Sequence, residues 1–336
     1  MLHDRIPLYS ELESRRDSKV LVYVTGDKPG LETQIAQDAI DFFIDHLDKI
    51  GVVKKISLLL YTRGGDTLAA WSIVNLIRLF CDEFEVIIPH KAHSAGTLIS
   101  LGANTLVMTK QATLGPIDPS VNNALNPQVP GAGINAKVPV SVEAVKGFLE
   151  LAKDELDIKD EGSLAQVLIK LADMVHPLVL GQVYRTRAQI QMLAERLLKT
   201  QINDQDQIKR IIAFLCSDSG SHDYTINRRE AIDHLGLNVE KPDDQLYDII
   251  KGIYENIKHE LQFNTHFDPN SYLGADPNKA YDHRRVIIES LTGGTDVFVT
   301  EGMLTKVPVP VQGSPGVMQQ GIRDDRLFEG WRHENA

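Results

Sequence analysis

IPHKAHSAGTLIS, from Ile88 to Ser100, is the stretch on which the reading of this chain turns. Phe84 to Pro89 is an apolar, β-branched run of strand length, and Ala95 to Ala103 is a run of small residues suited to a helix. Ser94 therefore stands where a buried strand has ended and a helix begins. The first N–H groups of a helix lack intrahelical acceptors, and the helix dipole is positive there. Ala95 and Gly96 carry little or no side chain, so another chain approaches closely. A serine nucleophile with an oxyanion-binding N–H at Ala95 requires such a junction. So does a serine N-cap, and taken alone the fragment favours the cap.

Upstream, LLLYTRGGDT (Leu58 to Thr67) has the same layout: a strand, a Gly64-Gly65 turn, and a helix capped by Asp66 or Thr67. Without Cβ atoms, the backbone N–H of Gly64 or Gly65 is free to face a ligand, although a lone Gly-Gly is also an ordinary turn. Strand patterns at Lys19–Gly26, Ile56–Thr62, Phe84–Pro89 and Thr105–Met108 alternate with helix patterns at Leu31–Ile50, Leu68–Phe80 and Ala95–Ala103. This alternation predicts a mostly parallel sheet with right-handed crossovers. Both turns then lie at the carboxyl ends of parallel strands, where open α/β sheets place their sites.

The remainder is different. Val121 to Pro139 is rich in Asn, Pro and Gly and reads as a loop. Helix patterns follow at about 141–157, 163–175, 177–199, 205–216, 226–235 and 243–262. RRVIIESL and DVFVTEGML flank Thr292-Gly293-Gly294-Thr295 as a β-hairpin. Residues 1–18 read as an N-terminal arm and 307–336 as an extended tail.

The composition excludes several function classes. The chain of 336 residues carries a formal net charge of −11, which argues against a nucleic-acid partner. Its two cysteines, Cys81 and Cys216, are too few for a disulfide framework. The histidines show no zinc spacing, so no catalytic metal and no cofactor are expected. No run approaches 18 apolar residues, and the charged start lacks a signal-peptide core; a cytoplasmic setting is the expectation. There is no nucleotide-binding Gly-x-x-x-x-Gly-Lys-Ser/Thr, so any unfolding motor is a separate ATPase partner.

Two further stretches complete the pattern: Gly115-Pro116-Ile117-Asp118-Pro119, and Glu230-Ala231 followed by Leu235-Gly236-Leu237. In this order the four elements resemble the Clp-protease/crotonase fold, and most closely the serine dehydrogenase proteinase family, relatives of signal peptide peptidase A (family S49). The resemblance covers roughly 19–240. It implies an α/β fold with a repeated ββα/βαβ core, a mostly parallel sheet, added helices and a C-terminal β-hairpin. The catalytic domain would span 19–240 with a helical insertion at about 120–217, and 241–306 would pack a helix and the hairpin on the core. It implies Ser94 as nucleophile, with Gly65 and Ala95 supplying the oxyanion N–H groups.

A serine also needs a base. In Clp subunits a histidine follows the nucleophile by about a strand and a turn, but Thr113 to Pro119 contains none. Alignment through Glu230-Ala231 places the Clp-type aspartate on Asp223 as a tentative orienting acid. The candidate bases are His176, then His222, then Lys146, the last because relatives of signal peptide peptidase A use lysine. Lys137 and Lys153 are weaker alternatives, and His93 neighbours Ser94 but points away if the backbone is extended. The expected function is a serine peptidase acting on a peptide or protein substrate through a Ser94 acyl-enzyme. The resemblance also implies a homo-oligomer, with region 141–217 as a candidate surface, and leaves room for a membrane partner. Two other readings stay open: a crotonase-like acyl-CoA enzyme, and a non-catalytic scaffold that kept the fold.

Overall fold

The computed structural model describes residues 2–129, 136–218, 221, 223–310, 316 and 318–334. The chain forms two compact units, one built from Met1–Leu114 with Asn227–Ala336 and the other from Gly115–Ile226.

The first unit begins with helix α1 (Leu2–Arg16) and continues through β1 (Lys19–Thr25), α2 (Ala39–Ile50), β2 (Val53–Tyr61), α3 (Thr67–Leu79) and β3 (Cys81–Ile88). A two-residue strand β4 (Lys91–Ala92), helix α4 (Ala95–Leu101), β5 (Thr105–Met108) and β6 (Thr113–Leu114) follow. The second unit contains β7 (Ser120–Val121), β8 (Val140–Ser141), α5 (Val142–Glu150), α6 (Glu161–Met174), α7 (Pro177–Leu198) and α8 (Gln205–Ala213). After β9 (Ile226–Asn227) the chain adds α9 (Arg228–Asp233), β10 (Val239–Glu240), α10 (Asp244–Glu260), α11 (Pro269–Leu273), β11 (Asn278–Ser290), β12 (Gly294–Pro310) and β13 (Met318–Glu334).

The main sheet has the order β10-β5-β3-β2-β1-β11-β12-β13. From β10 to β1 every pairing is parallel, and β11, β12 and β13 extend the sheet antiparallel. Side chains alternate between faces. Val20, Val22, Val24, Leu59, Tyr61, Ile87 and Val107 join a core with α1 and α10. Intervening residues such as Leu21, Tyr23, Leu58 and Leu60 are also fully buried, on the opposite face, where the Tyr23 ring meets Phe43 of α2 edge-on at 5.2 Å. Burial on both faces explains why these strands read as continuous apolar runs.

Three expectations change. The helix expected from Leu31 starts only at Ala39, because Thr33 is used in a turn, its hydroxyl accepting from Gly26 N–H at 2.7 Å, and Ile35 bridges to Gly65. The N-terminal arm is a helix that buries Leu2, Arg5, Tyr9 and Leu12. The stretch expected as a tail supplies the end of β12 and all of β13, held by Trp331, which stacks on Phe42 at 4.5 Å and donates to Asp38 at 2.9 Å.

In the second unit, Val121, Val140, Val142, Val179 and Val183 form a small core around the antiparallel pair β7–β8, α5 and α7. Helix α6 buries none of its residues. No single helix among the described residues is long and apolar enough to cross a membrane.

Candidate active site

The site is built from the ends of β2 and β4. Past Tyr61, β2 continues as Thr62, which pairs with β4: Thr62 N–H donates to Lys91 C=O at 3.0 Å, and His93 N–H donates to Thr62 C=O at 3.1 Å. On the other edge, Ile35 N–H donates to Gly64 C=O and Asp66 N–H donates to Ile35 C=O, each at 2.8 Å. The Gly64–Gly65 peptide is trans, so its N–H points opposite to its C=O. With the Gly64 carbonyl committed to Ile35, the Gly65 N–H is aimed at the other edge, where β4 and Ser94 lie. No acceptor among the described residues takes it.

Both glycines have left-handed φ, +118° at Gly64 and +140° at Gly65. A Cβ on Gly64 would lie 2.7 Å from Ser94 Cβ and 3.3 Å from Ser94 Oγ, and one on Gly65 would collide with the Ile35 backbone. The turn is therefore glycine by packing as well as by dihedral angle. Beneath it, the buried Thr62 hydroxyl accepts from Gly64 N–H at 3.0 Å and from the Thr25 hydroxyl at 2.9 Å.

Ser94 occupies the N-cap position of α4, yet its hydroxyl caps nothing. Its backbone is at φ 51°, ψ −111°, a conformation that non-glycine residues rarely hold and that costs about 1–3 kcal/mol. An ordinary N-cap is extended and bonds the N2 or N3 amide. Here the turn is closed by others: Gly96 N–H donates to His93 C=O at 2.8 Å, and the Thr97 hydroxyl donates to Ala92 C=O at 3.0 Å. Gly96 lies against Thr62 with no room for a Cβ. Ala95, the first residue of α4, has a backbone N–H without an acceptor among the described residues. Ser94 is thus flanked by two backbone donors, on Gly65 and Ala95, in a half-exposed turn.

The other residues named from the sequence lie elsewhere. His93 is turned toward β6, its Nε2 2.9 Å from the Thr113 hydroxyl. His176, Lys146, Lys137, Lys153 and Asp223 all belong to the second unit. His176 is exposed and caps α7, its Nδ1 accepting from Leu178 N–H at 3.2 Å. Lys146 pairs with Glu150 at 3.2 Å and Glu143 at 3.8 Å, and lines a cavity of about 420 Å³ that also includes Asp118 and Cys216. Burial raises the Glu143 carboxyl above its usual range, against the pull of Lys146 and Arg187. Asp223 is exposed. His222 lies outside the described residues. Sequence reasoning missed Thr62 and Ile35, which brace the glycine turn; Thr62, immediately before Arg63-Gly64-Gly65, was the available signal. Among the described residues no group of three or more His, Cys, Asp or Glu is placed to hold a metal.

Residues 48–144, which contain both turns and Gly115–Pro119, match the ClpP-like SDH-type serine proteinases. Two uncharacterised proteins of Methanocaldococcus jannaschii are 32% identical over 187 residues and 29% identical over 184 residues. These alignments cover 56% and 55% of this chain, and 54% and 51% of the relatives, so the chain spans about half the length of each. Among solved structures, a membrane-bound stomatin-specific protease mutant is similar with a TM-score of 0.38 and 16% identity, covering 73% of this chain and 86% of that one. ClpP1 of Listeria monocytogenes is similar with a TM-score of 0.35 and 14% identity, covering 70% and 98%. The family match is confined to residues 48–144, the segment that carries the Gly64-Gly65 turn and Ser94.

Proposed function

We propose that this protein is a serine peptidase in which Ser94 Oγ attacks the scissile carbonyl. The Gly65 and Ala95 N–H groups then take up the oxyanion of the tetrahedral intermediate. The observation that carries this reading is the combination at Ser94: a strained backbone, a hydroxyl that caps nothing, and N–H groups on Gly65 and Ala95 with no acceptor among the described residues. Strain of this kind is retained where function uses it. As the intermediate collapses, the amine leaves with a proton from the base, and water then hydrolyses the Ser94 ester. The base is drawn from His176, His222 and Lys146, with Asp223 as the orienting acid for a histidine. The region match to a serine proteinase family supports acyl transfer over the acyl-CoA reading.

The test is intact-mass analysis after treatment with a fluorophosphonate, comparing the wild type with Ser94→Ala. One adduct on the wild type and none on the variant is the expected result. A folded wild type that takes no adduct overturns the proposal. The pH dependence of labelling then separates the bases: a histidine gives a limb near pH 6–7, and a lysine one at higher pH. A limb that is unchanged in the His176→Ala, His222→Ala double variant leaves Lys146.

A further inference from the structure

The first unit holds a second concavity whose residues the Ser94 chemistry does not use. It is a cavity of about 270 Å³ at the carboxyl ends of four neighbouring parallel strands: Asp27 follows β1, Tyr61 ends β2, His90 follows β3 and Thr109 follows β5. Helix α10 and Phe263 close it. The crevice beyond the carboxyl ends of parallel strands is where open α/β sheets place their ligands. The volume is at the small end of ligand pockets, roughly 300–1,000 Å³, which suits a single residue or a small acid and not a nucleotide.

The lining is aromatic. The Tyr61 ring lies 5.3 Å from Tyr254 and 5.0 Å from Phe263, and His90 stacks on Tyr254 at 6.0 Å with 23° between the planes. Tyr247 adds a fifth ring at the rim. Of these rings only the His90–Tyr254 pair is stacked, the Tyr61 ring being tilted by 33–55° to its neighbours, and an aromatic lining of this kind favours an aromatic partner. The lining holds two carboxylates, Asp27 and Glu255, and two lysines, Lys251 and Lys258; each carboxylate has an ion-pair partner, and one lysine has none among the described residues. Asp27 is matched by Lys91 at 2.8 Å, and Glu255 by Lys258 at 3.3 Å. Lys251 has no carboxylate partner among the described residues; its ammonium lies 6.0 Å from the Tyr247 ring, beside the cavity it lines. Lys110, also without a carboxylate partner, lies 4.6 Å from the same ring.

We propose that this crevice binds an aromatic carboxylate, its ring against Tyr254, His90 and Tyr247 and its carboxylate at Lys251. The C-terminal aromatic residue of a peptide and a free aromatic acid present the same chemistry. The site does not depend on the role of Ser94.

Calorimetric titration with N-acetyl-L-phenylalanine, its uncharged carboxamide and phenylacetate tests the assignment. The acid is expected to bind at least fivefold tighter than the amide, and that preference is expected to fall to near unity in Lys251→Gln. Tyr254→Ala should weaken the acid at least tenfold. Because Tyr254 is buried, Tyr247→Ala at the rim, expected to weaken it several-fold, is measured alongside, with circular dichroism as the check of folding. N-acetyl-L-phenylalanine binding tighter than phenylacetate identifies a peptide terminus as the source, and the reverse order a free acid; either supports the site. Equal affinity for acid and amide, an unchanged preference in Lys251→Gln, or no binding by the folded wild type overturns it. Ser94→Ala is expected to bind as the wild type does, so failure here and failure of the peptidase reading are separable.

Discussion

At Ser94 the local backbone speaks against the capping role that the fragment alone favours. A capping serine gains roughly 1 kcal/mol from its amide contact, whereas this one holds φ 51° with no such contact in return. The neighbouring Gly64 makes the point testable. A methyl group there meets Ser94 Cβ at 2.7 Å on a φ of +118°, so Gly64→Ala must displace the serine or the turn. Phosphonate labelling is expected to slow by roughly 10²-fold, the scale of a lost oxyanion donor, with a stability loss of about 1–3 kcal/mol. Labelling at the wild-type rate in Gly64→Ala would show that the turn is not part of the site. A second residue-scale prediction concerns His283 on β11. Burial, with Lys28 and Arg285 nearby, pushes its pKa down from 6.5 to about 4. The unfolded chain takes up this proton near pH 6.5 and the folded chain only near 4. Between those values the unfolded state binds more protons, so stability falls as the pH drops. From pH 7 to pH 5 the loss from this group is about 2 kcal/mol, read by urea unfolding at the two values. His283→Phe keeps the ring packing and should remove that part of the slope.

Among the elements, α1 is held by chemistry that its sequence does not advertise. Arg5 is fully buried; its guanidinium grips both oxygens of the buried Glu289 and donates to Glu260 at 2.7 Å, while the Tyr9 hydroxyl donates to Glu289 at 2.5 Å. Removing one partner of a buried pair leaves the other charge stranded, so Arg5→Ala is expected to cost about 3–5 kcal/mol in denaturant unfolding. A loss below 1 kcal/mol would mean that α1 is a loose arm. These contacts join residues nearly 300 positions apart, and so the arm reading was natural: Leu2, Arg5, Tyr9 and Leu12 have helical spacing, but a charged member breaks the apolar stripe. β13 was hidden for a different reason. An edge strand with both faces largely exposed has no need of alternation, and MQQGIRDDRLFEGWRHE shows none. By contrast β2, β3, β11 and β12 were legible, because strands buried against helices carry apolar runs. The two turns at the heart of the candidate site were legible too, through Gly64-Gly65 and Ser94-Ala95-Gly96. The partners that brace them, Ile35 and Thr62, act through backbone pairing and a single hydroxyl, which leave no periodic trace.

For the whole molecule, the exposed surface of the second unit raises the question of assembly. Helix α6 buries no residue, and Leu168, Ile169 and Met174, together with Leu178 and Tyr184 of α7, are all more than half exposed. A helix that leaves its apolar residues in water gains nothing from packing, and exposed apolar side chains in this number make a candidate interface. The expected cover is further copies of the same chain. Light scattering behind size exclusion should then report a multiple of the 37.4 kDa chain mass, and Leu168→Asp with Ile169→Asp should shift it to the monomer with helical content unchanged. The same residues suggest the competing outcome, since α6 and α7 are apolar enough as a pair to meet a membrane, although they are bent by 104°. A wild type that stays monomeric at micromolar concentration but sediments with phospholipid vesicles, and loses that in the double variant, would assign the surface to lipid and end the case for self-assembly through α6.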